Sequence, residues 1–469
     1  MNQFTSISCG DQAPCSPFYR QNGQRLAGHL RQLGWISATL LALAMLGCST
    51  FSSFEPTPID DVPFRERMKE KTQNGLTVST AVPSREEAKA IFGVDLAKKH
   101  IQPVWFELQN DSQIPYAFLL SALDPNYFSA HEAAYRSHFR WRPGTNRKMD
   151  AHFDSLQLEG LLLPGQRKTG FVFTNLKLGT KEVRVSLFGP GRIENFEFYA
   201  SVPGFRADYH EVDWKALYAR ETTDYTTEAA FREALAQLPC CTTRKNGKGQ
   251  GDPLNLVIIG DAEVVGAALV RSGWDETEKL SAASAWRTFK AFFGGKYKYS
   301  PMSSLYFEGR SQDAGFQRAR DTIHQRNHMR LWLSTMTFQG QSVWIGTVTR
   351  DIGVYFTWRA WNLTTHAIDP YVDEARGSVR EEFSSAQALS RFGYISGVGP
   401  ATQEDPHRNL MNAPWWTDGD RLVLQLSPEE VPMDQIDFLY WEWGAGPEQD
   451  AFINEALKRA RKKGLQAPD

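Results

Sequence analysis

The chain has 469 residues, of which 52 are Lys or Arg and 54 are Asp or Glu, so its formal net charge is −2 at pH 7. This balance argues against a general nucleic-acid binder, which normally carries a basic excess. Aromatic residues make up 12% of the chain, which is enough to fill large cores and excludes wholesale disorder. Five Cys in this length exclude a scaffold built from disulfides, and the length predicts two or three domains.

Residues 1–47 have the composition of an export signal. They contain three Arg, no Lys and a single acid, and they end in an apolar run over residues 33–47. A run of this length suits the hydrophobic region of a signal peptide better than a membrane span. Cys48 follows directly after Gly47, an arrangement that resembles the bacterial lipobox, in which the Cys is lipidated and becomes the mature N-terminus. The alternatives are an uncleaved membrane anchor and a buried core helix.

Lipidation of Cys48 predicts a protein held on a membrane by its acyl chains, because each buried CH₂ contributes about 0.8 kcal/mol. Ser49 resembles the second mature residue of lipoproteins that are sent to the outer membrane. We therefore expect a lipid-anchored protein of the bacterial cell envelope, on the outer membrane and facing the periplasm. The expected partners are the membrane itself and an envelope protein or lipid, with no nucleic acid. Residues 48–79 are predicted to be the lipidated tether.

Residues 80–210 predict a β-sandwich-like domain. Ser84 and Glu87 have the spacing of a capping box, and Gly93 is suited to end the helix that this box begins. Short runs of alternating apolar and polar residues then follow, separated by turn residues, which is typical of a sandwich. Predicted strands cover residues 104–109, 156–163, 170–175, 183–188 and 196–202. An aromatic and basic insertion at 127–147 interrupts them and is predicted to be a helix or a long loop.

Residues 211–400 predict an α+β domain, and residues 401–469 add a strand and an amphipathic helix. Helices are predicted over 213–238, 261–271, 282–293, 372–389 and 447–463, and strands over 255–260, 304–307, 328–336, 342–347, 352–358, 394–398 and 421–426. The short loop 338–341 predicts that two of these strands form a hairpin. The predicted fold class is α+β, with an N-terminal β-sandwich-like domain followed by an α+β domain.

Several strings in residues 238–400 are similar to the LssY C-terminal domain family. They include 238–243 (LPCCTT), 324–332 (HQRNHMRLW), 344–353 (WIGTVTRDIG) and 364–376 (TTHAIDPYVDEAR). The resemblance covers roughly a third of the chain and implies an LssY-like domain in a largely uncharacterised family, whose members often join it to membrane phosphatases of the PAP2 kind. The sequence carries no acid-phosphatase signature of paired Arg, Ser-Gly-His and a distant His-Asp, so phosphatase activity is not carried over.

Polar residues within this region form the candidate catalytic set: His328, Arg330, Asp351, His366, Asp369 and Asp373. Two His and three Asp have the chemistry of a divalent-metal site or an acid–base pair, with His328, His366 and Asp369 as the candidate metal ligands. Arg330 or Arg350 has the donors to hold a phosphate or carboxylate.

The alternative roles are structural. Asp369 and Pro370 would start a helix as N-cap and first residue, His366 would satisfy a carbonyl, and Asp351 would pair with a nearby Arg. The sequence assigns no cofactor.

Cys240 and Cys241 are adjacent, and we expect buried thiols there because a disulfide between neighbours closes a strained ring; an oxidising periplasm would still permit one. The sequence leaves two functions open. The first is a lipid-anchored envelope protein that binds or scaffolds an unknown ligand. The second is a periplasmic hydrolase that uses the His/Asp set, with or without a metal, on a phosphate- or lipid-derived substrate.

Overall fold

The computed structural model describes residues 54–277, 302–319, 326–356, 364–439 and 441. The first strands are β1 (Lys69–Gln73), β2 (Leu76–Ala81), β3 (Ile101–Asn110), β4 (Tyr116–Phe118), β5 (Leu161–Leu162), β6 (Arg167–Asn175), β7 (Thr180–Gly189) and β8 (Arg192–Ser201). Those that follow are β9 (Thr223–Tyr225), β10 (Leu256–Ile259), β11 (Asp275–Glu276), β12 (Tyr306–Phe307), β13 (Arg310–Ser311), β14 (Ala314–Ala319), β15 (Arg326–Phe338), β16 (Gln341–Phe356), β17 (Thr364–Ile368), β18 (Leu389–Ser396), β19 (His407–Arg408), β20 (Pro414–Trp415), β21 (Asp420–Leu426) and β22 (Asp437–Leu439).

The helices of the described residues are α1 (Arg85–Phe92), α2 (Leu120–Leu123), α3 (Ala130–Tyr135), α4 (Pro143–Leu156), α5 (Trp214–Tyr218), α6 (Glu228–Ala236), α7 (Ala262–Arg271) and α8 (Val372–Ser385). Together with the strands they confirm the predicted α+β class. Among the described residues, no helix combines the length and the apolar character that a bilayer crossing requires. The predicted signal segment and the predicted helices over 282–293 and 447–463 lie outside the described residues.

In the first part of the described chain, two four-stranded antiparallel sheets pack face to face. Their strand orders are β1-β2-β3-β6 and β5-β4-β7-β8. Alternate residues of both sheets point into one shared core, which includes Phe106 and Val172 from the first sheet and Val185 and Phe198 from the second. The strands begin at β1, inside the segment predicted as a tether.

The opposite face of the first sheet packs against α1 and α4 through a cluster of aromatic rings in tilted and edge-to-face contact. Phe92 of α1 lies 4.8 Å from Phe153 of α4 and 5.1 Å from Phe171 of β6, measured between ring centroids. The capping box predicted for α1 is present, because Ser84 accepts from the backbone N–H of Glu87 and Glu87 accepts from that of Ser84. The aromatic and basic insertion contains α3 and the beginning of α4.

A ten-stranded mixed sheet organises the second part of the chain. Its order is β11-β14-β15-β16-β10-β21-β18-β22, with β17 on β16 and β9 on β15. One face packs against α7 and α8 around Leu256, Met329 and Val348, and the other packs against α6 around Val257 and Trp332. The predicted hairpin is present as β15 and β16. Pro56–Asp469 form one compact unit.

Several predicted elements differ from the structure. The strand predicted over 156–163 is wrong for most of its length, because α4 continues to Leu156 and only Leu161–Leu162 pair as β5. The single helix over 213–238 is wrong, because the β-branched Thr223 enters β9 and pairs with β15, and Thr227 caps a new helix, α6. The strands predicted over 342–347 and 352–358 are one continuous strand, β16. It stays extended because its partner changes from β15 to β17 at Asp351, with a bulge before Gly353.

Candidate functional site

Strand alternation places two of the predicted residues on one face of the large sheet. His328 and Arg330 lie two positions apart on β15 and therefore point the same way. The register sets His328 opposite Thr349 and Arg330 opposite Thr347 on β16. All four residues are buried or half-buried, so this face carries a polar layer beside the apolar core that α6 covers.

His328 and Asp351 form a hydrogen-bonded pair. The Nε2 atom of His328 lies 2.7 Å from Oδ2 of Asp351, whose side chain is only 4% exposed. The other ring nitrogen, Nδ1, lies 2.9 Å from Sδ of Met302. A carboxylate that orients an imidazole in this way prepares it for general acid–base work. The pair is therefore the part of the predicted set that the structure brings together by a direct hydrogen bond.

Arg330 lies beside this pair in a buried position. Its guanidinium donates to the backbone carbonyl of Ser303 at 3.3 Å and lies 3.9 Å from the carboxylate of Asp252. Burial lowers the pKa of Arg330, against the opposing effect of nearby carboxylates. Asp208 faces the same layer, and burial raises its pKa to about 6 although Thr277 and the backbone of Gly315 donate to it.

Asp369 and Asp373 have other partners than the His328–Asp351 pair. The structural alternative, in which Asp369 caps a helix, is wrong because α8 begins only at Val372. Asp369 instead accepts a hydrogen bond from the backbone N–H of Tyr371 at 3.1 Å. Asp373 accepts from Thr417 and from the backbone of Asp418, at 2.7 and 2.8 Å.

His366 pairs through its backbone with Val354, and its side chain lies outside the described residues. In the parts of the chain that the structure describes, no three His, Cys, Asp or Glu residues are grouped for a metal ion. Thus Asp369 and Asp373 do not join the His328–Asp351 pair there.

Asp373 belongs to a buried ion-pair network at the start of α8. Arg376 donates to both carboxylate oxygens of Asp418 and lies 3.6 Å from Asp373. Burial opposes the charge of Arg376, but the two carboxylates outweigh it and raise the pKa of this guanidinium. Every member of this network has a partner, so its geometry favours a structural role.

The face of the large sheet that α7 and α8 cover also carries a row of polar residues. Only one of them, Arg350, is among the residues predicted from the sequence. The register aligns Arg318 of β14, Asn327 of β15 and Arg350 of β16. This row lies next to the apolar row of Phe316, Met329 and Val348, which α7 and α8 cover. The polar row therefore lies where the hydrophobic core of this face ends.

A cleft of about 500 Å³ opens above this row. Its floor is the polar row, and its walls are the end of α7 and one side of α8. Residues at spacings of three and four along a helix share a face, which explains why Ser378, Glu381, Glu382 and Ser385 all line the cleft. Arg271 and Ser272 contribute from the end of α7.

The three arginines of this cleft differ in how they are paired. Arg318 donates to Glu382 at 2.6 Å. Arg350 makes longer contacts, to Asn327 at 3.3 Å and to the backbone carbonyl and carboxylate of Glu374 at 3.4 and 3.8 Å. Arg271 has no hydrogen-bond or ion-pair partner among the described residues, and its Nε is buried. A buried guanidinium donor without a partner has a high cost, so the cleft is suited to receive an anion.

Sequence reasoning named Arg350 as an anion ligand and missed Arg271 and Arg318. Arg271 ends α7 and Arg318 is the next-to-last residue of β14, and their convergence depends on a strand register that the sequence does not display. The signal available was the alternation along β14, which separates Arg318 from the core position Phe316 by two residues.

Cys240 and Cys241 form a disulfide between adjacent residues, so the expectation of buried thiols is wrong. The backbone explains how the pair is held, because the carbonyl of Cys240 accepts from Leu254 and Cys241 bridges to Pro253. Cys241 packs with Val372, Val398 and Trp415 in a small apolar cluster.

Comparison with protein-family models finds a match in the second part of the chain. No curated protein sequence matches the chain. The cleft and the His328–Asp351 pair both lie within residues 232–420, the region that the family model matches. Residues 232–420 match the family model described as the LssY C-terminus, and this part of the chain is therefore an LssY C-terminal domain.

Proposed function

We propose that the protein is a lipid-anchored cell-envelope protein that binds an anionic ligand, carrying a phosphate or carboxylate group, in the cleft of its LssY C-terminal domain. The observation that carries the proposal is Arg271, which lines the cleft, makes no hydrogen bond or close ion pair among the described residues and has a buried Nε. Charge-assisted bonds from guanidinium to phosphate or carboxylate are strong and directional.

The charges that line the cleft support this ligand class. Three arginines face two glutamates, Glu381 and Glu382. Glu382 is occupied by Arg318 and by the indole N–H of Trp274, at 2.6 and 2.9 Å, and Glu381 lies 3.5 Å from Arg380 on α8. Arg350 makes only its long contacts to Asn327 and Glu374, and Arg271 interacts with Glu182 only through its electrostatic field. These two guanidinium groups therefore retain donors for a ligand.

A second depression distinguishes the binding arginines from a structural one. It measures about 440 Å³ and shares Arg271 with the cleft. Its own arginine, Arg184, is already paired with Glu197 at 2.7 Å and with Glu430 at 3.1 Å. We therefore place the ligand in the cleft between α7 and α8 and assign Arg184 to the packing between strands.

Calorimetric titration of the 56–469 fragment with inorganic phosphate, and separately with succinate, tests the proposal. This fragment forms one compact unit that contains both large cores. A charge-assisted hydrogen bond contributes about 1.5–3 kcal/mol, so Arg271→Gln should weaken binding of the better anion about ten- to hundredfold. Arg192→Gln, which removes an exposed charge elsewhere, is the matched control. Binding that is absent for both anions, or equal in Arg271→Gln and Arg192→Gln, would contradict the proposal.

The hydrolase remains a second candidate because of one observation, the 2.7 Å contact between His328 and the buried Asp351. A hydrolase would use the imidazole as a general base for water attack on a phosphate- or lipid-derived ester. Hydrolysis of p-nitrophenyl phosphate or p-nitrophenyl butyrate should then depend on His328 and be lost in His328→Gln. Metal analysis of the same fragment, with His366→Ala as control, tests whether a metal takes part. Turnover that persists unchanged in His328→Gln would exclude this role.

The anchor rests on Cys48 and its preceding apolar run. Radiolabelled palmitate should label the full chain in a bacterial host, and Cys48→Ala should abolish labelling. Labelling that survives Cys48→Ala would contradict lipidation at this residue.

A further inference from the structure

The segment between β4 and β5 contains an exposed aromatic and basic loop. We call this loop the tip and define it as residues 135–148. Trp141 is 86% exposed and Tyr135 is 67% exposed. Soluble surfaces tolerate single apolar residues, but a nearly fully exposed Trp close to an exposed Tyr is unusual because these large rings are normally at least partly buried. The tip therefore presents aromatic surface to whatever lies outside the protein.

The same loop concentrates positive charge. Residues 135–148 contain five Arg or Lys and no Asp or Glu, in a chain whose net charge is −2. Arg140 lies with its guanidinium carbon 5.5 Å from the ring centroid of Trp141. Arg140, Arg147 and Lys148 are exposed, and within the described ranges none of them has a carboxylate partner. Their charges remain available to an anionic surface.

The backbone holds Trp141 in this exposed position at a cost. Its φ is +65°, in the left-handed region that bulky residues rarely adopt. The loop is fixed on both sides of it. Asn146 accepts from the backbone N–H of Phe139 and donates to its carbonyl, at 2.9 and 3.0 Å, and His138 bonds Asp150 at 2.7 Å. A braced loop that directs a strained Trp outwards favours a contact role for this ring.

We infer that the tip docks on the surface of a bilayer that contains anionic lipids. Trp and Tyr have an apolar body and a polar group, and they settle at the depth of lipid headgroups. Basic side chains near an anionic leaflet each contribute about 1 kcal/mol. A single-stranded nucleic acid would also use the charges and would stack its bases on Trp141, so it enters the test below as the competing polyanion. The inference does not depend on the arginine cleft, because the tip and the cleft share no residue.

Vesicle flotation of the 56–469 fragment tests the inference, with phosphatidylcholine vesicles compared with vesicles that also contain phosphatidylglycerol. The fragment should float with the anionic vesicles only. Arg140→Gln and Arg147→Gln should each reduce partitioning about fivefold. Lys245→Gln/Lys248→Gln, which removes charges from an exposed loop elsewhere, should reduce it far less.

Trp141→Gly separates membrane contact from a structural role. Gly adopts positive φ without strain, so this variant should unfold at the same temperature or higher while its partitioning falls. Three outcomes would overturn the inference: no flotation of the wild-type fragment, equal flotation of Trp141→Gly and the wild type, or equal binding to both vesicle types. Displacement by a short single-stranded DNA in a manner independent of Trp141 would show a general polyanion site instead.

Discussion

Asp208 provides a quantitative test of the buried polar layer around His328 and Arg330. Its carboxylate accepts from the Thr277 hydroxyl at 2.9 Å and from the backbone N–H of Gly315 at 3.3 Å. Burial nevertheless raises its pKa from 3.8 to about 6. The folded protein therefore binds this proton more tightly than the unfolded chain does.

The sign of the pH effect follows from this difference. Below about pH 4 the carboxyl is protonated in both states and carries no penalty. As the pH rises through the folded pKa of about 6, the folded state must ionise a buried group, and stability is lost. A shift of about two units corresponds to about 3 kcal/mol, which Asp208→Asn should remove because the amide never ionises.

Urea unfolding of the wild type and of Asp208→Asn, monitored by Trp fluorescence, measures how much the ionisation of Asp208 lowers the free energy of unfolding. Other groups titrate equally in both proteins, so the difference between their free energies of unfolding isolates Asp208. The variant should gain about 3 kcal/mol relative to the wild type between about pH 4 and pH 7. Asp405→Asn, at an exposed position, controls for the loss of one charge. A difference that does not change with pH, or that changes in the opposite direction, would refute the reasoning.

Three further changes test the packing. Arg421→Met should lower the free energy of unfolding by more than about 4 kcal/mol, since the fully buried guanidinium of Arg421 donates to five backbone carbonyls; a loss below 1 kcal/mol would contradict this. Ser84→Ala should cost about 1 kcal/mol in urea unfolding by removing the capping box of α1, whereas an unchanged midpoint would argue against it. Gly170→Ala should lower the melting temperature, because its Cβ would lie 2.6 Å from the backbone N of Leu158, and an unaltered melting temperature would show that the segment at Leu158 can move away from β6.

Local signals in the sequence predicted the parts of the fold that depend on neighbouring residues. The capping box of Ser84 and the hairpin of β15 and β16 are both short-range features, and both are present. The failure at residues 213–238 has the opposite origin. Periodicity alone favoured a helix there, but the pairing of β9 with a distant strand, β15, decided the conformation of Thr223–Tyr225.

The candidate site shows the same division. Alternation along one strand correctly grouped His328 with Arg330, and Asp351 joins them from the next strand. Asp373 was grouped with them only by sequence proximity, whereas its partners, Thr417 and Asp418, lie more than forty residues later in the chain. Arg271 could not be recognised, because the role proposed for it depends on its contacts among the described residues of the folded cleft and not on any motif.

The central claim is that Arg271 and Arg350 hold an anion between α7 and α8. Diffraction from crystals soaked in selenate would locate a phosphate-like anion directly by its anomalous signal. We expect one ordered selenate in the cleft, within hydrogen-bond distance of the Arg271 guanidinium, and none at that position in Arg271→Gln. Selenate that is ordered elsewhere on the wild-type protein while this cleft stays empty would contradict the account.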